Sequence, residues 1–249
     1  MGPLTAIIFL AALIHQSAGQ VRAFIHPEKM DFSFSALSET QNRQQIVDQH
    51  NEIRRSVIPT ASNMLKMTWN EKAAANAQKW ANKCQMKISP RKERIVNGVP
   101  CGENILQSTY PSTWAETIKV WHSQKYNFKY GVGSIKKTDK IQSYTQLISY
   151  NSYQVGCATA YCPNSQFPFM RVCHYCPSGN NPMQITKPYK KGPKCGDCPG
   201  HCDHGLCTNP CKYQDLFTNC AHLRIYLNCN LSVMSKNCRA TCKCATEIK

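Results

Sequence analysis

Residues 194–211 read KCGDCPGHCDHGLCTNPC, with cysteines at 195, 198, 202, 207 and 211. So dense a run of cysteine, glycine and proline cannot build an apolar core and must be stapled. Cys195-x2-Cys198 here, and Cys173-x2-Cys176 upstream, have the spacing of a zinc ribbon. A disulfide framework is the alternative, and the choice between them decides the fold.

The rest of the chain makes that choice. It has 249 residues and 16 cysteines, an even number, so twelve cysteines outside the two CxxC pairs also need partners. Residues 4–14 (LTAIIFLAALI) form a short apolar run, followed by Ser17, Ala18 and Gly19. This reads as a signal peptide over residues 1–19, too short to span a bilayer. No later stretch reaches about 18 continuous apolar residues, so a secreted, extracellular protein is expected. On that route thiols oxidise, and disulfides win over zinc. With eight bridges the connectivity cannot be read from spacing.

Cysteine density then divides the chain. Only Cys84 and Cys101 fall within residues 20–156, whereas the other fourteen lie in 157–249. The first part can form its own core. Pro177, Gly179, Pro182, Pro188, Gly192 and Pro193 punctuate a linker at 177–194. Ile46, His50, Ile53 and Val57 share one helical face that stops before Pro59. Asn70 caps a second helix, EKAAANAQKWANK, and Thr113-x-x-Glu116 reads as a capping box ahead of Trp114, Ile118 and Trp121. IQSYTQLISY (141–150), YQVGCATA (153–160) and FPFMRVCHY (167–175) read as strands. Helices followed by strands give an α+β layered domain.

Four segments, MLKMTWNEKAAANAQKWANKC (64–84), CGENILQS (101–108), VCHYCPSGN (172–180) and the opening stretch, together resemble the cysteine-rich secretory proteins. The resemblance implies a CAP domain, an α-β-α sandwich, over residues 20–176. A linker and disulfide-bonded hinge over 177–210 and a small helical cysteine-rich domain over 211–249 would follow. In the tail, Cys211-x8-Cys220-x8-Cys229-x8-Cys238-x3-Cys242-x-Cys244 is similar to the potassium-channel-blocking sea-anemone toxin fold. The implied bridges are Cys84–Cys162, Cys101–Cys176 and Cys157–Cys173 in the large domain. Cys195–Cys202 and Cys198–Cys207 would staple the hinge, and Cys211–Cys244, Cys220–Cys238 and Cys229–Cys242 the tail.

CAP domains carry a cleft of two histidines and two glutamates that can hold a divalent ion through the histidines. Residue by residue, Glu103 matches, but Ile88, Gln124 and Ser143 stand where a histidine, a glutamate and a histidine belong. Isoleucine has no lone pair, and amide and hydroxyl are poor zinc ligands. No metal, no cofactor and no enzymatic activity are therefore expected. His50 reads as a satisfied core histidine, His122 as an exposed helix residue near the cleft, and His174 as a packed strand residue. His201 and His204 read as surface imidazoles. G-x-S-x-G, H-E-x-x-H and phosphate-binding glycine loops are absent from the sequence.

Lys+Arg number 30 against 14 Asp+Glu, a formal charge of +16. No nucleic-acid-binding module accompanies it, so the expected partners are anionic membrane surfaces, sulfated glycans or the acidic mouth of a cation channel. Tyr213, Leu216, Phe217, Leu223, Ile225, Tyr226 and Leu227 are more apolar groups than the tail can bury. Tyr213, Phe217 and Tyr226, beside Lys212 and Arg224, are the candidate channel contacts, since an aromatic next to a cation suits pore occlusion. Asn230-Leu231-Ser232 is a glycosylation sequon. By resemblance the chain is a secreted, non-enzymatic ion-channel regulator of the epididymal, sperm-associated type, with a part in sperm maturation and sperm–egg interaction. The alternatives are a CAP lipid or metal carrier, a hydrolase, or a venom-type channel blocker.

Overall fold

The computed structural model describes residues 38–249; the apolar run at 4–14 lies outside them. A four-stranded sheet carries the large domain, in the order β1 (Thr68–Trp69), β7 (Gln154–Tyr161), β8 (Phe169–Cys176) and β4 (Gly102–Ser108). β1 runs parallel to β7, and the other pairings are antiparallel. Among the described residues there are also three two-stranded ribbons: β2 (Ile95–Val96) with β3 (Val99–Pro100), β5 (Phe128–Lys129) with β6 (Gly133–Ser134), and β9 (Cys202–Asp203) with β10 (Leu206–Cys207).

α2 (Glu71–Ala81) packs on β7 and β8. Its N-cap Asn70 accepts from the Ala73 N–H, and its buried stripe is Ala73, Ala77, Trp80 and Ala81. Small residues let the helix approach the sheet closely. At Gly156 of β7 a Cβ would collide with the backbone of Ala74 and Asn70. α1 (Glu39–Arg55) and α3 (Trp114–Ser123) pack on each other, and capping boxes at Ser38/Gln41 and Thr113/Glu116 start them. Both meet the opposite face of the core with Ile46, Ile118 and Trp121.

Residues 141–150, expected as a strand, instead form α4 (Gln142–Leu147). Tyr144, Thr145, Gln146 and Leu147 are all buried. The Thr145 hydroxyl donates to Asn180 Oδ1 at 2.6 Å and Asn180 Nδ2 donates to the Gln142 carbonyl, two bonds that tie the turn to residue 180. Burial on every side removes the advantage of period-2 alternation, and tertiary packing overrides β propensity.

In the last turn of α1, Arg54 is fully buried and, among the described residues, has no carboxylate partner. Its guanidinium donates to the carbonyls of Leu65 (2.8 Å), Leu147 (2.9 Å), Ser149 (2.8 Å) and Tyr150 (3.0 Å). Burial lowers its pKa to about 9, so it remains charged at neutral pH. Four backbone carbonyls thus replace the water that the cation leaves behind.

The stretch at 177–194 carries no long element, yet it is tied to the large domain. Tyr189 sits in the main core, Lys190 N–H donates to Asn63 Oδ1, and Tyr150 N–H to the Pro188 carbonyl. The hinge docks on residues 60–66, with Cys207 and Met64–Lys66 exchanging backbone bonds and Lys66 paired to Asp203. In the tail, α5 (Cys220–Tyr226), α6 (Ser232–Asn237) and α7 (Arg239–Lys243) surround two small clusters, Cys211/Ala240/Cys244 and Cys220/Met234/Cys238.

Candidate functional site

All sixteen cysteines are bridged. Cys84–Cys162, Cys101–Cys176 and Cys157–Cys173 lie in the large domain, Cys195–Cys202 and Cys198–Cys207 in the hinge, and Cys211–Cys244, Cys220–Cys238 and Cys229–Cys242 in the tail. The sulfurs of Cys195, Cys198 and Cys207 approach within 4.8 Å of one another. Each belongs to a disulfide, however, and a disulfide sulfur is not the thiolate that a metal requires.

The cleft positions of the large domain do not converge on a metal site. Ile88 is 57% exposed. Gln124 Oε1 accepts from the Ser143 N–H at 2.9 Å, and the Ser143 carbonyl accepts from Asn104 Nδ2 at 3.0 Å. Asn104 Nδ2 also reaches the Tyr175 hydroxyl, which contacts His50 Nε2 at 3.1 Å, while His50 Nδ1–H donates to the Ile46 carbonyl. His50 is thus a satisfied core residue; burial, with Arg54 adding to it, lowers its pKa to about 4 and keeps it neutral. His122 packs against the Tyr144 ring, 5.6 Å between centroids, and burial lowers its pKa.

Glu103 and His174 are joined in a way that the single-residue readings of the sequence missed. The β4–β8 register sets them directly opposite each other. Both side chains are fully buried, and His174 Nε2–H donates to Glu103 Oε1 at 2.8 Å. The Ser89 N–H and hydroxyl supply two more bonds to the carboxylate, each 2.7 Å. Burial pushes the Glu103 carboxyl up, but the bonds from His174 and Ser89 outweigh it and leave it below the ordinary glutamate value. The acid stands between serine and histidine, so the histidine is not placed to take the serine proton as a nucleophilic triad requires. With Glu103 saturated, and Ile88, Gln124 and Ser143 at the other cleft positions in place of stronger donors, the residues present do not fit an ion held through two imidazoles.

On the tail, Leu216, Ile225 and Tyr226 are each more than 70% exposed, and Phe217 is exposed to a lesser degree. Lys212, Arg224 and Asn230 are also exposed. Tyr213 is half-buried, with Arg239 and Lys243 each 4.8 Å from its ring centroid. It supports the α7 cations and does not project.

A family model described as the cysteine-rich secretory protein family matches residues 47–175, and a second, described as Crisp, matches 195–249. The chain belongs to the cysteine-rich secretory protein family. Solved structures of similar fold include Na-ASP-1, 27% identical with a TM-score of 0.57 over 67% of this chain. This chain spans 47% of Na-ASP-1. NaASP2, crystallised with Zn2+, is 26% identical over 70% of this chain and 98% of its own, with a TM-score of 0.56. Schistosoma mansoni venom allergen-like protein 4 shares the fold at 21% identity and a TM-score of 0.51, over 63% of this chain and 97% of its own. Family membership and eight disulfides place this member of the cysteine-rich secretory family outside the reducing cytosol.

Proposed function

We propose that the protein is a secreted, non-enzymatic binding protein whose C-terminal domain acts on a cell-surface ion channel, with sperm as the target cell. The observation that carries this reading is the tail's exposed apolar pair, Ile225 72% and Tyr226 73% exposed next to exposed Arg224, on a domain held by three disulfides that also exposes Lys212. A frame that is rigid before contact loses little entropy on docking. An aromatic beside a cation suits the mouth of a cation pore. A glycan on Asn230 would sit next to exposed Leu231 and Val233 and narrow the face. Nucleic acid is not a partner in this reading.

The competing reading is a CAP metal carrier or hydrolase, favoured by NaASP2 having been crystallised with Zn2+. The donor set around Glu103 argues against it, since both carboxylate oxygens are already engaged by Ser89 and His174. Patch-clamp recording on sperm separates the two. The wild-type protein is expected to alter a cation current and Tyr226→Ser with Phe217→Ser to lose most of that effect. No current change with either protein overturns the channel reading; zinc calorimetry showing tight binding abolished by Glu103→Gln favours the other.

A further inference from the structure

Basic residues that are scattered along the sequence collect on one lobe of the large domain. Between Glu116 and Asp197 the only acidic residue is Asp139. The β5–β6 hairpin turns through Gly131, Val132 and Gly133, and both glycines adopt positive φ (82° and 93°) that a side chain would oppose. Residues 135–140 fold back on this hairpin: the Ile135 N–H donates to the Asn127 carbonyl, and Asn127 Nδ2 to that of Lys140. Thr186, in turn, accepts from the Gly131 N–H at 2.7 Å. Lys125, Lys129, Lys136, Lys137, Lys140 and Lys187 are thereby carried on one lobe. Five of them are exposed and Lys125 is half-exposed. Among the described residues none takes part in an ion pair.

Apolar side chains project from the same lobe. Val132 at the hairpin tip is 59% exposed, Ile135 56% and Tyr126 75%, the last with Lys125 Nζ 5.0 Å from its ring centroid. The bond from Gly131 to Thr186 ties the tip to the lobe, with Val132 exposed on it.

We propose that this lobe docks on an anionic phospholipid surface, the lysines facing headgroup phosphates and carboxylates while Val132, Ile135 and Tyr126 enter the interface. Unpaired lysines are attracted to the negative surface potential within a Debye length. Apolar and tyrosyl groups among them gain from the headgroup–acyl boundary, where aromatic residues with one polar end concentrate. A sulfated glycan would satisfy the lysines but would leave Val132 and Ile135 in water, which favours lipid. The proposal does not depend on the tail, because a vesicle contains no channel.

The test is co-sedimentation of the full chain with vesicles of phosphatidylcholine alone or with about one third phosphatidylserine. Binding is expected only to the anionic vesicles and to weaken as salt rises. Lys129→Glu, Lys136→Glu and Lys137→Glu together are expected to weaken it by about tenfold or more. Val132→Ser with Ile135→Ser should weaken it severalfold, and all of these side chains are exposed, so melting temperatures should match wild type. Unchanged sedimentation after either set of substitutions overturns the proposal. So does retention on a heparin column without sedimentation on anionic vesicles, which would assign the lobe to sulfated glycans.

Discussion

Residues 38–176 bury Trp121, Tyr175, Met67, Leu147 and Ile118 under three disulfides, while residues 211–249 bury only Met234, Ala240 and Ile248 besides cysteine, also under three. The large domain offsets its conformational entropy mostly with apolar area and internal polar networks. The tail cannot, and relies on limiting how far its unfolded chain can spread. The difference also sorts where function can reside. In the large domain Glu103 and His50 are turned inward and hydrogen-bonded, whereas the tail leaves Leu216, Ile225 and Tyr226 in solvent.

Arg54→Ala is expected to have the largest effect. Truncation would strip the guanidinium from four carbonyls, and each buried acceptor left unpaired costs about 1–3 kcal/mol. A loss of about 5 kcal/mol is expected, measured by denaturant unfolding, with tail amides keeping their hydrogen-exchange protection. Simultaneous loss of protection in both parts would break the contrast drawn above. Next comes Cys220→Ser with Cys238→Ser, which opens a bridge spanning 18 residues and costs about 3 kcal/mol. The cluster it leaves is Met234 with half-buried Leu223 and Leu227. Helical signal from α5–α7 should vanish while the large domain melts at its former temperature.

A smaller effect should follow acidification, and it too should be confined to the large domain. His50 has a folded pKa of about 4 against an ordinary 6.5, so below 6.5 the unfolded chain takes up a proton that the folded chain refuses. Stability is therefore complete above pH 6.5 and falls as pH drops toward 4, by about 2 kcal/mol at pH 5. Glu103, whose pKa is lowered by its bonds to His174 and Ser89, adds stability above the ordinary glutamate value and loses it as pH falls below that value. Unfolding at pH 7 and pH 5 should show the decline, and His50→Gln should flatten it. A tail that loses as much stability over the same range would show that the acid response is not His50's.

The helices starting at Asn70 and Thr113 were legible because their caps announce them in a few residues, and the strands at 154–161 and 169–176 because β-branched and aromatic residues cluster there. Residues 141–150 misled because burial around α4 erases the polar face that marks a helix. The Glu103–His174 pair was invisible to single-residue reading, being separated by 71 positions. A signal did exist: with Cys101 bridged to Cys176 across antiparallel strands, counting two residues inward from each cysteine reaches Glu103 and His174. The lysine lobe had no such marker, since Lys187 reaches the hairpin only through Thr186.

Ile225→Ser with Tyr226→Ser should have the smallest effect on stability and the sharpest on function. Both side chains are more than 70% exposed, and their nearest structural role is the edge contact of Tyr226 with His222, 5.3 Å between centroids. Exposed substitutions of this kind change stability by no more than about 0.5 kcal/mol. The small tail clusters around Ala240 and Met234 would therefore survive, and so would the three tail bridges. If the exposed face is what the stapled frame exists to present, the double variant keeps its melting temperature and its proteolytic resistance but loses its effect on the cation current of sperm. A variant that instead melts several degrees lower would place Ile225 and Tyr226 in the tail's stabilising machinery, as Ile118 and Trp121 are in that of the large domain.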